Sequence, residues 1–190
     1  MSYLEKDTIF KSYYRLYVLG KLIVDGDDVN DVIFTSLDDM SVGGDTLNMG
    51  TTTTSTSGSW LGIESLNGGY VDMKGVSIKY GGGGIGSQYS GLKATESEIY
   101  LEDMLFESNA ASGVMLINST STIKSSEFKN HLSPKSAAAI SYYSSPINLS
   151  DVTFDSNALG VYADSNSTVQ SVSNVIFTNN TATTSPSGLW

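Results

Sequence analysis

Four phenylalanines, Phe106, Phe128, Phe154 and Phe177, follow one another at intervals of 22, 26 and 23 residues, and their surroundings repeat with them. Five positions before each stands an aliphatic residue: Leu101, Ile123, Leu149 and Val172. Two before stand Met104, Ser126, Val152 and Val175, and three after stand Asn109, His131, Asn157 and Asn180. A second set of columns keeps the same beat: Leu92, Val114, Ile140 and Val161, with Ala94, Leu116, Tyr142 and Ala163 two residues on. A weaker column, seven before the Phe place, holds Val71, Ile99, Ser121, Ile147 and Gln170. Self-similarity at this period, with strand-like content, marks a solenoid whose coils bury their apolar faces against one another.

Within each repeat the apolar positions differ by two, which is strand alternation. The chain is rich in β-branched residues and tyrosine and has no apolar run at helical spacing. Short strands broken by Ser, Asn and Gly predict an all-β, single-stranded parallel β-helix. It has about 22–26 residues and three short strands per rung, and forms one domain over residues 1–190. Like residues then stack rung above rung, about 4.8 Å apart. The phenylalanines become an aromatic stack. Asn109, Asn157 and Asn180 become a ladder at a turn, with His131 a polar turn residue in the same column.

The register extends upstream to Ile78, with Val76 and Met73, and to Phe34, with Val32 and Val29. The longer steps between these places demand loops. The expected boundaries are an N-terminal strand or cap over 1–16, an inserted Gly/Thr/Ser-rich loop over 37–59 and a C-terminal tail over 181–190. A further insertion is expected over 131–136, and Trp60 is expected in the core at a rung start. The aromatics Phe10, Tyr13, Tyr14 and Tyr17 crowd the N-terminal segment, as if to cap the first rung or dock another chain.

Composition narrows the function. There is no cysteine, hence no disulfide framework and no thiol chemistry. No apolar run reaches membrane-span length, and residues 1–11 lack the apolar segment of a signal peptide. A net charge of −10 with a single arginine argues against nucleic acid, which needs a basic face. This balance suits an extracellular or cell-surface protein. Glycosylation sequons begin at Asn118, Asn148, Asn166 and Asn179, a number that a chain so rich in Asn, Ser and Thr supplies by chance.

Candidate chemistry starts with two acid clusters, Asp25, Asp27, Asp28 and Asp31, and Asp38, Asp39 and Asp45. Calcium takes about six to eight oxygen ligands. A long loop can wrap an ion, so Asp38, Asp39 and Asp45 are the candidate calcium ligands. The plainer expectation is a solvated acidic loop. No other cofactor is expected.

Glycoside hydrolysis needs two acids at a set separation. The columns Lys79, Glu107, Lys129, Asp155 and Lys74, Glu102, Lys124 instead alternate in sign up the stack. Such cross-strand ladders hold carboxylates ionised, the wrong direction for a general acid. Asp103 and Asp151 would lie two rungs apart, about 10 Å, loose for a catalytic pair. With one histidine and no Gly-x-Ser-x-Gly elbow, a nucleophilic triad is unsupported. The glycine-rich run 81–86 lacks the Gly-Lys-Ser/Thr of a phosphate loop. No catalytic residue is assigned.

The order of segments in the first half is also informative. Tyr17 to Gly26 reads YVLGKLIVDG, and Val32-Ile33-Phe34-Thr35-Ser36 follows. Then come Gly43-Gly44-Asp45-Thr46 and Ser59-Trp60-Leu61-Gly62-Ile63. This resembles secreted, pectate-lyase-like right-handed β-helix domains of large microbial surface and adhesion proteins. The resemblance implies a right-handed solenoid. It says little of activity, because that fold carries lyases, hydrolases and inert stalks alike. In the family the Gly-Gly-Asp-Thr loop continues in a calcium-like pattern, whereas here Leu47 and Met49 interrupt the alternating oxygen ligands.

Two readings of function follow. One is a non-catalytic extracellular structural or adhesion module, a stiff rod that displays its loops. Its partners would be surface glycans, or further copies stacked through open β-helix ends into a filament. The alternative is a carbohydrate-active enzyme, a polysaccharide lyase or glycoside hydrolase. A groove of clustered acids and bases on one strand face would favour the enzyme; carboxylates committed to ladders favour the module.

Overall fold

The structure, a computed structural model, describes residues 2–48, 50, 54–84, 89–132 and 138–181. Met49 and residues 51–53 of the expected 37–59 loop, residues 133–136 of the insertion expected over 131–136, part of the glycine-rich run and the tail beyond residue 181 lie outside them. In chain order the strands are β1 (Ser2–Glu5), β2 (Thr8–Ser12), β3 (Leu16–Val18), β4 (Lys21–Asp25), β5 (Val32–Ser36), β6 (Ile63–Leu66), β7 (Tyr70–Lys79), β8 (Leu92–Thr95), β9 (Glu98–Glu107), β10 (Val114–Ile117), β11 (Thr120–Lys129), β12 (Ala138–Tyr143), β13 (Pro146–Asp155), β14 (Leu159–Ala163) and β15 (Thr168–Thr178). Every pairing among them is parallel, each strand lying on its counterpart one coil earlier. There is no helix among the described residues, hence none long and apolar enough to cross a membrane.

Each full rung has three corners, and a single residue of left-handed backbone makes each one. The long strands bend at Gly75, Asp103, Ser125, Asp151 and Asn174, whose φ values run from 49° to 63°. Each long strand is therefore two short ones, and a rung has three strands as expected. A second corner column is Asn67, Glu96, Asn118 and Ser144; a third is Tyr80, Ser108, Asn130, Ser156 and Asn179. Gly, Asn and Asp tolerate this conformation best and Ser favours turns, which is why these residues punctuate the repeat. The backbones of Gly26 and Gly75 also touch at one corner. A Cβ on Gly75 would stand 2.5 Å from the carbonyl of Gly26.

Inside, the expected columns form. Phe106 and Phe128 stack with ring centroids 4.8 Å apart, Phe128 and Phe154 at 5.3 Å, and Phe154 and Phe177 at 4.9 Å. The Leu92 column extends down to Ile63 and Leu16. Trp60 is buried, and its indole N–H donates to the carbonyl of Lys79 at 2.6 Å.

The turn ladder is continuous. The Asn109 side-chain amide donates to the Ile78 carbonyl at 2.9 Å and lies 3.4 Å from His131 Nε2. His131 Nδ1 lies 2.8 Å from Asn157 Oδ1, and Asn157 Nδ2 donates to Asn180 Oδ1 at 3.0 Å.

Three registers differ from expectation. The residue paired with Met73 is Val24, not Val29, because residues 26–31 form a loop between β4 and β5. Ile147 pairs with Val169, not with Gln170, because an irregularity in β15 absorbs one residue. The Phe column reaches one coil further than Phe34: Phe10 pairs with it at 5.5 Å between rings, so residues 2–18 form a rung of their own.

Candidate functional site

Residues facing outward from β4, β7, β9 and β11 line a shallow groove of about 370 Å³. Alternation puts them there: Met73 and Leu101 point inward, so Asp72, Lys74, Tyr100 and Glu102 point out. Tyr70 and Tyr100 meet at 5.7 Å between ring centroids, and the Lys21 ammonium lies 4.3 Å from the centre of the Tyr70 ring. The Tyr100 hydroxyl donates to Glu98 at 2.6 Å, and that of Tyr70 to Asp72 at 3.2 Å. These contacts raise both phenols above their ordinary pKa, chiefly through the Glu98 hydrogen bond for Tyr100 and through burial for Tyr70. Glu102 is held by Lys124 at 2.6 Å, and the carboxylate in turn raises the lysine pKa.

The floor is thus two tyrosine faces beside Asp72 and Glu102, which already accept a phenol and a lysine, and Asp25. Such a surface can stack on a sugar ring and hydrogen-bond its hydroxyls. The sequence columns place Lys74, Glu102 and Lys124 on this face, but not Asp72, Glu98 or the two tyrosines. Their signal lies in the outward columns between the inward ones, at the positions six and eight before the Phe place.

The charge ladders form in part. Lys79 pairs with Glu107 at 3.4 Å and Lys124 with Glu102, while the ammonium of Lys129 is 3.8 Å from Glu127 on its own strand. Asp103 and Asp151 prove to be corner residues; Asp151 accepts from Asn174 at 2.7 Å.

The acids Asp38, Asp39 and Asp45 sit in the loop after β5 with different partners. Asp39 is buried and accepts from the Thr35 hydroxyl at 2.7 Å and from the Ser41 hydroxyl at 2.6 Å. Asp38 accepts from the Tyr13 hydroxyl. Asp45 accepts from the backbone N–H of Gly50 at 2.9 Å. The Lys11 ammonium enters the loop and donates to the carbonyls of Asp39 at 2.5 Å and Gly44 at 2.8 Å. Among the described residues no three His, Cys, Asp or Glu side chains gather in a way that would hold a metal.

A second charged cluster was not foreseen. Glu64 faces outward from β6, yet its side chain is only 8% exposed, with Arg15 at 2.6 Å and Lys93 at 2.8 Å. Burial pushes its carboxyl up, but Lys93 and then Arg15 outweigh this and hold it below its ordinary value. Arg15 also lies 4.5 Å from the centre of the Tyr89 ring. The Glu64–Lys93 cross-strand pairing was legible from the columns, had the register been carried to β6. His131 is wholly buried and held neutral, its pKa lowered to about 4 by burial despite the bond to Asn157.

A family model described as a right handed beta helix region matches residues 43–190. No curated protein and no solved structure matches the chain.

Proposed function

This chain belongs to the right-handed β-helix family, and from that premise we propose that it is a non-catalytic extracellular structural or adhesion module that holds surface glycans in the groove over β4, β7, β9 and β11. One observation carries the reading: the groove offers the ring faces of Tyr70 and Tyr100 and hydrogen-bonding groups, while two of its three carboxylates, Asp72 and Glu102, are tied to Tyr70 and Lys124 and the third, Asp25, lies at its rim on β4. A hydrolase needs one carboxyl poised to give a proton and another free to act. Here Asp72 and Glu102 each engage a neighbour, which suits recognition. The stacked core would make a stiff support for that surface.

A glycan array read with the wild-type chain and with Tyr100→Ala tests it. Tyr100 is 39% exposed and outside the core, so the variant should fold. Binding to one glycan class, lost in the variant, is expected. No binding to any class would count against the glycan partner.

The carbohydrate-active enzyme is the second reading, favoured by four acids, Asp25, Asp72, Glu98 and Glu102, on adjacent strands of one face. It predicts released product rather than retention. Calcium at Asp38, Asp39 and Asp45 is a separate proposal, supported by three carboxylates in one loop. It would require the loop to rearrange around Lys11, and a chelator-reversible rise in melting temperature would be its sign.

A further inference from the structure

The two ends of the stack differ from its middle. At the last coil, inward residues that would be covered elsewhere are open: Val169, Val172 and Phe177 are 41%, 45% and 48% exposed. At the first coil Leu4, Phe10 and Leu16 are only partly buried. With Leu19 and Leu22 they line an apolar hollow of about 250 Å³.

The columns show how these ends relate. Successive pairings run from Phe10 through Phe34, Ile78, Phe106, Phe128 and Phe154 to Phe177. They run likewise from Leu4 through Val24 and Met73 to Val172. The first coil therefore carries the residues that a coil above β15 would need, with Phe10 falling on Phe177 and Leu4 on Val172.

Charge agrees. Residues 1–21 hold Lys6, Lys11, Arg15 and Lys21 against Glu5 and Asp7, a net charge of +2 in a chain of −10. Residues 136–190 hold Asp151, Asp155 and Asp164 and no basic residue, a net charge of −3. Asp25, Asp27, Asp28 and Asp31 follow on the second coil, where Asp27 pairs with Lys6 at 3.4 Å, so the basic character belongs to the first coil alone.

We propose that β15 of one copy is the docking surface for β1 and β2 of a second copy, in the same parallel register that joins the coils within a molecule. The Phe column then passes from Phe177 of one copy to Phe10 of the next, and both apolar ends leave water together. The contact is heterologous and does not close, so it propagates into a filament. Unpaired parallel strand edges are the usual template for such addition. The inference rests on reading the solenoid as a structural module, and it names the module's partner as its own kind.

Exposed outward residues give a test that spares the fold. Ile9 and Ile176 share one column, are 45% and 50% exposed and lie at opposite ends of one molecule. Across the joint they would be neighbours on strands about 4.8 Å apart, within the roughly 4.4–6.8 Å between Cα atoms that a disulfide spans. Because the chain has no cysteine, Ile9→Cys and Ile176→Cys variants of the full chain report only this contact.

Mixed and oxidised, the two variants should convert mainly to a disulfide-linked dimer, while each alone should stay largely uncoupled. The wild-type chain should gain mass with concentration in sedimentation velocity. Equal coupling in the mixed and single samples, or a wild-type monomer at every concentration, overturns the proposal. The latter would also be the result if the chain's own residues 182–190 cover β15. Failure here leaves the glycan reading standing, and glycan cleavage would remove that reading without touching the joint.

Discussion

His131 occupies a column otherwise held by asparagines, and its burial makes it the clearest titrating residue in the molecule. Its unfolded pKa is near 6.5 and its folded value about 4. Between these values the unfolded chain binds the proton and the folded chain does not. Stability therefore falls as pH drops through this window and the loss is complete below it, amounting to about 3 kcal/mol. His131→Asn should keep the ladder and flatten the slope between pH 6.5 and 4, as read by urea unfolding at several pH values.

The Phe column is tested by Phe128→Ala. The ring is stacked on both faces and fully buried, so the cost should be about 3–5 kcal/mol. A loss below about 1 kcal/mol would contradict the register. Ser121 points the other way. It lies inward between Ile99 and Ile147, and its hydroxyl finds no partner among the described residues. Ser121→Val should raise stability by about 1 kcal/mol in the same assay.

At the scale of the strand, alternation alone was enough to read the inward columns, because a one-residue slip would turn each set to solvent. That is why Leu92, Val114, Ile140 and Val161 were legible without a structure. The errors fell where an element carries an extra residue: Val29 was aligned through a loop, and Gln170 through the irregular start of β15. Spacing cannot see such insertions, since they leave the flanking pattern intact. The corners were legible as polar punctuation, but not as one left-handed residue each.

Two corners carry residues poorly suited to that backbone, Tyr80 and Glu96. A left-handed residue of this kind costs roughly 1–2 kcal/mol, which asparagine largely escapes. Glu96 is exposed, so Glu96→Asn should stabilise by about 1 kcal/mol in thermal or urea unfolding. The Arg15–Glu64–Lys93 cluster joins β3, β6 and β8 through loop and strand contacts of long sequence separation. Removing its one acid by Glu64→Gln leaves two half-buried cations opposed, at a cost of about 3 kcal/mol.

The whole molecule is a stack whose outer faces do different things. One face holds a groove of tyrosines and acids, another a shielded ion cluster, and the end coils stay partly open and apolar. The fold was readable because the sequence states the Phe place six times, from Phe34 to Phe177, in small variations. The groove was less readable because it is made of outward residues, which no packing rule constrains.

On the proposed reading this groove retains carbohydrate without cutting it. The direct measurement is to incubate the full chain with a panel of neutral and uronic-acid polysaccharides, with and without calcium. Retention is read by affinity electrophoresis and product release by mass spectrometry. Retarded migration with no new oligosaccharides is the predicted result. Accumulating fragments, abolished by substituting Asp72 or Glu102, would contradict it.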